Sequence, residues 1–238
     1  MNKTTIPDWV VQKVIDRRGH RHVFRSMPPL STALVVVDLQ NGFMMDGVAH
    51  SLITGAREIV PNVNKIAQTL RDLGGTVVWI HNTSRPEDQK VWPIYYDELS
   101  TPQRAAKRHA SLTPGSIGHQ IWAACDEQPD DLHVNKHRFS ALLPGTSELE
   151  GVLRARGIDT LIICGTSTSV CCESTARDAC MLNFRTIMVS DGNAAATDEE
   201  HNATLMNFYL TFGDVMSTKE VVGYLKDSAA SEALRKTA

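Results

Sequence analysis

Along the chain, short apolar runs rich in β-branched residues alternate with segments whose apolar residues recur every three or four positions. The first run, ALVVVD over residues 33–38, is apolar without interruption until its acid, as expected of a strand buried on both faces. Ile59, Val63, Ile66, Ala67, Leu70 and Leu73 follow at helical spacing and stop at Gly74 and Gly75, which reads as a glycine-terminated helix. Further strands are predicted at 76–80 (TVVWI), 131–135 (DLHVN), 160–164 (TLIIC), 185–190 (RTIMVS) and 214–217 (DVMS), with helices in SELEGVLRARG and DEEHNATLMNFYL. Alternation of this kind builds βαβ units. The predicted fold is therefore α/β, a three-layer αβα arrangement around a doubly wound, six-stranded, mainly parallel sheet.

Two stretches stand outside that rhythm. Residues 81–118 form a long connection carrying Trp92, Pro93, Tyr95 and Tyr96, and connections of that length are more often functional than idle; a pocket-covering loop or small helical insert is expected. Residues 1–30, with Trp9, Val10 and Val14 at helical spacing, read as an N-terminal arm packed on another subunit or on its own surface. Residues 31–238 read as one domain.

Composition narrows the possible partners. The 238 residues are 42% apolar and 21% charged with a formal net charge of -3, and no block of Lys or Arg suggests a nucleic-acid or anionic membrane surface. No apolar run approaches the roughly 20 residues needed to span a bilayer, and the first residues lack the apolar stretch of a signal peptide, so a cytoplasmic protein acting on a small molecule is expected. The five cysteines, Cys125, Cys164, Cys171, Cys172 and Cys180, include no CxxC pair, which points to reduced thiols rather than disulfides or structural zinc. Cys125, Cys164 and Cys180 read as small buried hydrophobes. Neither GxGxxG nor GxxxxGK[ST] occurs, so a dinucleotide or nucleoside triphosphate is not expected.

In an open parallel sheet, ligands bind beyond the carboxyl ends of the strands. Three of those ends deliver reactive groups here: Asp38 after the first strand, Lys136 in NKHRFSAL after the third, and GTSTSVCCESTARDA after the fourth. Singly, an Asp caps, a Lys is solvated and a Cys packs. Together, a thiol gains a base in Asp38 and a cation in Lys136, the two ways in which a cysteine becomes a nucleophile. Gly165 permits a sharp turn, and residues 166–169 offer backbone N–H groups near a helix start, serving either as a plain N-cap or as an oxyanion hole. Whether Cys171 or Cys172 attacks is left open by these considerations.

The motifs ALVVVDLQNGF, NKHRFSAL and LIICGTSTSVCCESTARDACMLNF together resemble the isochorismatase-like cysteine hydrolases, which include nicotinamidases, N-carbamoylsarcosine amidases and ureidoacrylate amidohydrolases, from about residue 32 to 223. The resemblance implies an isochorismatase-like domain in which Asp38 is the catalytic acid, Lys136 its lysine and Cys171, six positions after Gly165, the nucleophile. Cys172 then occupies a position usually held by Val and is packing. A cis peptide between Thr166 and Ser167, with the N–H groups of Ser167 and Cys171 as the oxyanion hole, is implied as well.

The metal-binding Asp-x-His pattern of the nicotinamidases is missing, since Asp46 and His50 are four apart and the next histidine is His81. No metal or other cofactor is therefore expected, and nicotinamide is disfavoured. Isochorismatases proper cleave a vinyl ether and commonly lack the cysteine, so Cys171 points to amide chemistry. The helix CCESTARDA and the tail GDVMSTKEV resemble the ureidoacrylate and N-carbamoyl branch. The expected activity is hydrolysis of a C–N amide or ureido bond in a small carboxylate-bearing substrate, with ammonia release through a thioester-like intermediate; the alternatives are an amidase for other small primary amides and a catalytically silent binding protein. Arg138 is the candidate partner for the carboxylate, or else a surface ion-pair residue. Asn41, Phe43, His81, Asn82, Trp92, Tyr95, Tyr96 and Phe139 are pocket candidates by position and type. The family's habits imply a homo-oligomer, a dimer or a tetramer.

Overall fold

The computed structural model describes residues 1–237. Its strands are β1 (Thr32–Val37), β2 (Thr76–Asn82), β3 (Leu132–Lys136), β4 (Thr160–Thr166), β5 (Arg185–Ala194) and β6 (Asp214–Met216). They form one sheet in the order β3-β2-β1-β4-β5-β6, and every strand pairing is parallel. The central strand shows why both faces are covered. All six β1 residues are buried; Leu34 and Val36 enter one core, and Ala33, Val35 and Val37 the other. The period of two along a strand thus splits one apolar run between two helix layers.

On the first face lie the helices Ala56–Asp72 and Thr218–Thr237. Ile59, Val63, Ile66 and Leu70 of the former are fully buried, as their spacing requires. Its end is sealed by the Gly74 N–H on the Arg71 carbonyl at 2.9 Å and the Gly75 N–H on the Leu70 carbonyl at 2.8 Å, with Gly74 at φ 80°, a left-handed turn that a side chain disfavours. On the second face lie Leu149–Ala155, Glu173–Met181, Asp198–Thr211 and Asp8–Arg18.

Residues 1–30 lie along their own chain. Helix Asp8–Arg18 sinks Val10 and Val14 into the second core while Trp9 is 57% exposed. Asp214 then anchors the following segment: it accepts the Val23 N–H at 2.8 Å and sits 2.9 Å from His22 Nδ1, and Met27 enters the first core.

β5 runs four residues beyond its predicted end, through DGNA, where turn-forming Asp, Gly and Asn suggest a loop. The pairing register with β4 shifts between Ile163 and Gly165, and Asn193 spans the irregularity by donating to the carbonyls of Ile163 (2.9 Å) and Val189 (2.7 Å). A side-chain amide thereby stands in for ladder bonds that the sequence pattern cannot reveal. The long connection after β2 folds into the short helix Asp88–Val91, a turn Ile94–Glu98, the helix Pro102–Leu112 capped by Thr101, and a turn Ile117–His119. No helix among the described residues is long and apolar enough to cross a membrane.

The strand order reverses between β1, whose neighbours on one side are β2 and β3, and β4, which leads to β5 and β6. A crevice beyond the carboxyl ends of β1 and β4 is the geometric result.

Candidate active site

Asp38 follows β1 directly, with its N–H on the Ile80 carbonyl at 3.2 Å. Its φ of 55° lies in the left-handed region, uncommon for a side chain but most accessible to Asp and Asn. Lys136 is the last residue of β3 and the register partner of Asn82, the last residue of β2. All three are fully buried. Lys136 Nζ is 2.9 Å from Asp38 Oδ2 and also donates to the Arg138 carbonyl at 3.1 Å; Asn82 Nδ2 donates to the same Oδ2 at 3.2 Å. Asp38 Oδ1 has no N–H or O–H donor among the described residues.

β4 brings in the thiol. At Gly165, φ is 126° and a Cβ would stand 2.0 Å from the Val37 carbonyl oxygen, so only glycine lets β4 pass β1 this closely. The next peptide, Thr166–Ser167, is cis. The chain then winds through Thr168–Cys172 into helix Glu173–Met181. Thr168–Cys172 is a wider, π-helical turn, and along it consecutive side chains point in different directions. Both thiols touch the second core, but Cys171, 4% exposed, lines the crevice with Sγ 4.0 Å from Asn82 Nδ2, whereas Cys172 is fully buried and is not part of the lining.

Protonation follows from this packing. Burial, reinforced by the Asp38 carboxylate and opposed by Lys136, pushes the Cys171 thiol up to about 12. Burial alone would lower Lys136, but the Asp38 carboxylate outweighs it and raises the ammonium above its ordinary value. At neutral pH the site therefore holds an ammonium and a protonated thiol. Such a thiol attacks only if a base takes its proton during the reaction, and the open oxygen of Asp38 can serve as that base.

Above the thiol is a cavity of about 230 Å³, a size suited to a small molecule. Of the residues expected in the pocket, Phe43, Asn82, Tyr95 and Phe139 line it, together with Ser167 and Cys171. Others stand behind or away from it. Asn41 donates to the Ile117 carbonyl at 2.9 Å, and His81 stacks on His119 with Nε2 3.0 Å from His133 Nδ1. Trp92 stacks on Tyr95 at 4.3 Å between ring centres, and Tyr96 packs edge-on to both, so these two rings buttress the wall.

Arg138 lies outside the cavity. Its guanidinium rests over the Trp92 ring at 4.6 Å and donates to the carbonyls of His137 and Val91, which directs its donors away from the thiol. The cations that do line the cavity are Arg104 and Arg108, and with them come His50, Ser51, Ile53, Ser100 and Val170. The two arginines had a legible signal, since residues four apart in PQRAAKRHASL share one helix face. His50 had none: its place depends on how the loop after β1 folds back, with the His50 N–H on the Gly42 carbonyl.

Two of these histidines make stability acid-sensitive. Burial, with Arg108 adding to it, lowers His50 to about 3, and burial with His119 lowers His81 to about 4. The unfolded chain takes up protons as pH falls through the ordinary histidine value near 6.5, whereas the folded chain does not until pH 3–4. The urea midpoint is thus expected to fall steadily from pH 6.5 to 4, and less steeply in His81→Leu. A midpoint flat over that range contradicts the neutral assignments.

An isochorismatase domain model matches residues 32–220, and the chain belongs to the isochorismatase family. It is a hydrolase with that family's doubly wound α/β fold. Ureidoacrylate amidohydrolase RutB of Caulobacter vibrioides is 30% identical over 209 residues, spanning 82% of this chain and 91% of that protein. A solved cysteine hydrolase from Pseudomonas syringae pv. phaseolicola matches with a TM-score of 0.73 at 27% identity, covering 85% of this chain and 95% of its own. N-carbamoylsarcosine amidase from Thermoplasma acidophilum matches at 0.63 and 27%, covering 79% and 96%.

Proposed function

We propose that this protein is a cysteine-dependent amidohydrolase that cleaves a C–N bond in a small ureido or N-carbamoyl compound bearing a carboxylate, with release of ammonia. The observation that carries this reading is the convergence of Asp38, Lys136 and Cys171 at the strand-order reversal, with the Lys136–Asp38 pair at 2.9 Å and the thiol facing a small cavity. The names of two similar proteins, a ureidoacrylate amidohydrolase and an N-carbamoylsarcosine amidase, support the substrate class.

In the proposed reaction Asp38 takes the Cys171 proton as sulfur bonds to the substrate carbonyl carbon. The resulting oxyanion accepts from the Ser167 and Cys171 N–H groups at the cis turn. Lys136, held by Asp38, offsets the negative charge that travels between carboxylate and sulfur. Asp38 then returns the proton to the nitrogen, the C–N bond breaks and ammonia leaves. A water deprotonated by the same carboxylate attacks the sulfur-bound carbonyl, and the C–S bond breaks to restore the thiol. With a ureido substrate the product is a carbamate, which decomposes with loss of carbon dioxide.

The test is ammonia release from a panel of ureido acids, N-carbamoyl amino acids and simple primary amides. Turnover is expected with at least one of the first two groups and weaker turnover with the third. Release confined to simple amides overturns the substrate class, and no release from any overturns the activity.

A further inference from the structure

A buried charge in the cavity has no counter-charge among the described residues. Arg108 is 4% exposed, yet among the described residues no Asp or Glu forms an ion pair with it. A buried guanidinium is ordinarily paired, because removing it from water is costly. Of its five N–H donors, Nη2 donates to Asn82 Oδ1 at 2.8 Å and Nε reaches the Tyr96 hydroxyl oxygen at 3.4 Å. The guanidinium carbon lies over the Tyr95 ring, 5.6 Å from its centre. Nη1 has no partner among the described residues, and the side chain lines the cavity that Cys171 also lines.

We propose that Arg108 binds the carboxylate of the substrate with its free edge and, through Asn82, ties that anion to the catalytic carboxylate. This inference rests on the hydrolase reading given above. The chain of contacts is continuous: Arg108 holds the Asn82 carbonyl oxygen, and the Asn82 amide nitrogen in turn holds Asp38 Oδ2 and lies 4.0 Å from Cys171 Sγ. An anion seated on Arg108 is thereby connected by two hydrogen bonds to the base.

Other cations near the site are differently committed. Lys136 is paired to Asp38, Arg138 lies over Trp92, and Arg104 is exposed, one helical turn before Arg108 on the same face, where it can draw anions toward the opening. His50 contributes the opposite polarity. Its Nδ1–H donates to the Gly42 carbonyl at 2.9 Å, so in the neutral ring Nε2 offers only a lone pair and suits a substrate N–H rather than a second carboxylate.

Alkylation of Cys171 reads this site without requiring turnover. The probes are iodoacetate and iodoacetamide, equal in reaction but different in charge, applied to the full-length protein with labelling at Cys171 located by peptide mass. In Arg108→Gln and Arg108→Met the ratio of iodoacetate to iodoacetamide rates is expected to fall about 10-fold or more, on the scale of one charge-assisted hydrogen-bonded pair. Arg138→Met should leave it unchanged. Gln can still donate to Asn82, and an unaltered iodoacetamide rate shows that the fold around the thiol survives. With a ureido acid that the protein hydrolyses, Arg108→Gln should raise KM for the acid far more than for its neutral primary amide.

An unchanged ratio in both Arg108 variants overturns the inference, as does a fall in Arg138→Met instead. Ammonia release from ureido acids with an unchanged ratio defeats Arg108 alone and leaves the hydrolase reading standing. A ratio that falls in a protein releasing no ammonia from any ureido acid defeats that reading while the anion site remains.

Discussion

Cys171→Ala is expected to lower kcat by about 10⁴-fold or more while shifting thermal unfolding by only a few degrees, because it removes the proposed nucleophile but little buried surface. The neighbouring thiol supplies the control. Cys172 is fully buried among apolar side chains of the second core, so Cys172→Ala should retain turnover within about 10-fold and lose roughly 1–2 kcal/mol to the small cavity it leaves. Steady-state ammonia release and denaturant midpoints on the two variants separate the roles. The opposite pattern, with Cys172→Ala inactive and Cys171→Ala active, removes the present assignment.

Lys136→Met is expected to destabilise the fold by about 3–5 kcal/mol, or roughly 10 °C in a chain of this size, and to abolish turnover with it. The methionine fills similar space but leaves the Asp38 carboxylate fully buried without the ammonium that balances it, held by the Asn82 amide at 3.2 Å. A carboxylate left buried with its counter-charge removed is strongly disfavoured, and the base is no longer held in its working arrangement. The double change Asp38→Asn with Lys136→Met should regain part of the stability, since no charge is left unpaired and Asn tolerates the left-handed backbone at φ 55°, yet stay inactive. Unfolding of the single variant at the wild-type temperature indicates that the pair contributes little to the rim.

Lys136 also bears on the thiol directly. Its positive charge favours the thiolate, so its loss should slow Cys171 alkylation at any given pH near neutrality.

How far a residue was legible depended on how local its reason is. Asp38, Lys136 and Gly165 sit at strand ends, where an apolar run meets a polar or glycine residue, and such ends can be located along the chain. The choice of Cys171 over Cys172 was available from the resemblance, and the turn Thr168–Cys172 brings Cys171 but not Cys172 to the cavity lining. Arg138 is the contrasting case. Its place two residues after Lys136 suggests that it shares the pocket, but the backbone turns after β3, the Lys136 ammonium takes the Arg138 carbonyl, and the guanidinium is carried over Trp92.

Arg108 and His50 enter the cavity from the insert and from the loop after β1. Neither segment has a periodic pattern that aims a given side chain at the end of β4, which ends at Thr166, far along the chain from both. The arginine pair 104 and 108 declares a helix face but not what that face meets.

By itself, then, the sequence determined the six strands, their burial on two faces and the three reactive groups at their ends, because those features follow from hydrophobic periodicity and short motifs that act within a few residues. The tertiary structure alone decided which cations face the thiol, which aromatic rings wall the cavity and which only support it, and where residues 1–30 lie. Those outcomes arise from long-range packing, in which each side chain's direction depends on elements distant in the chain.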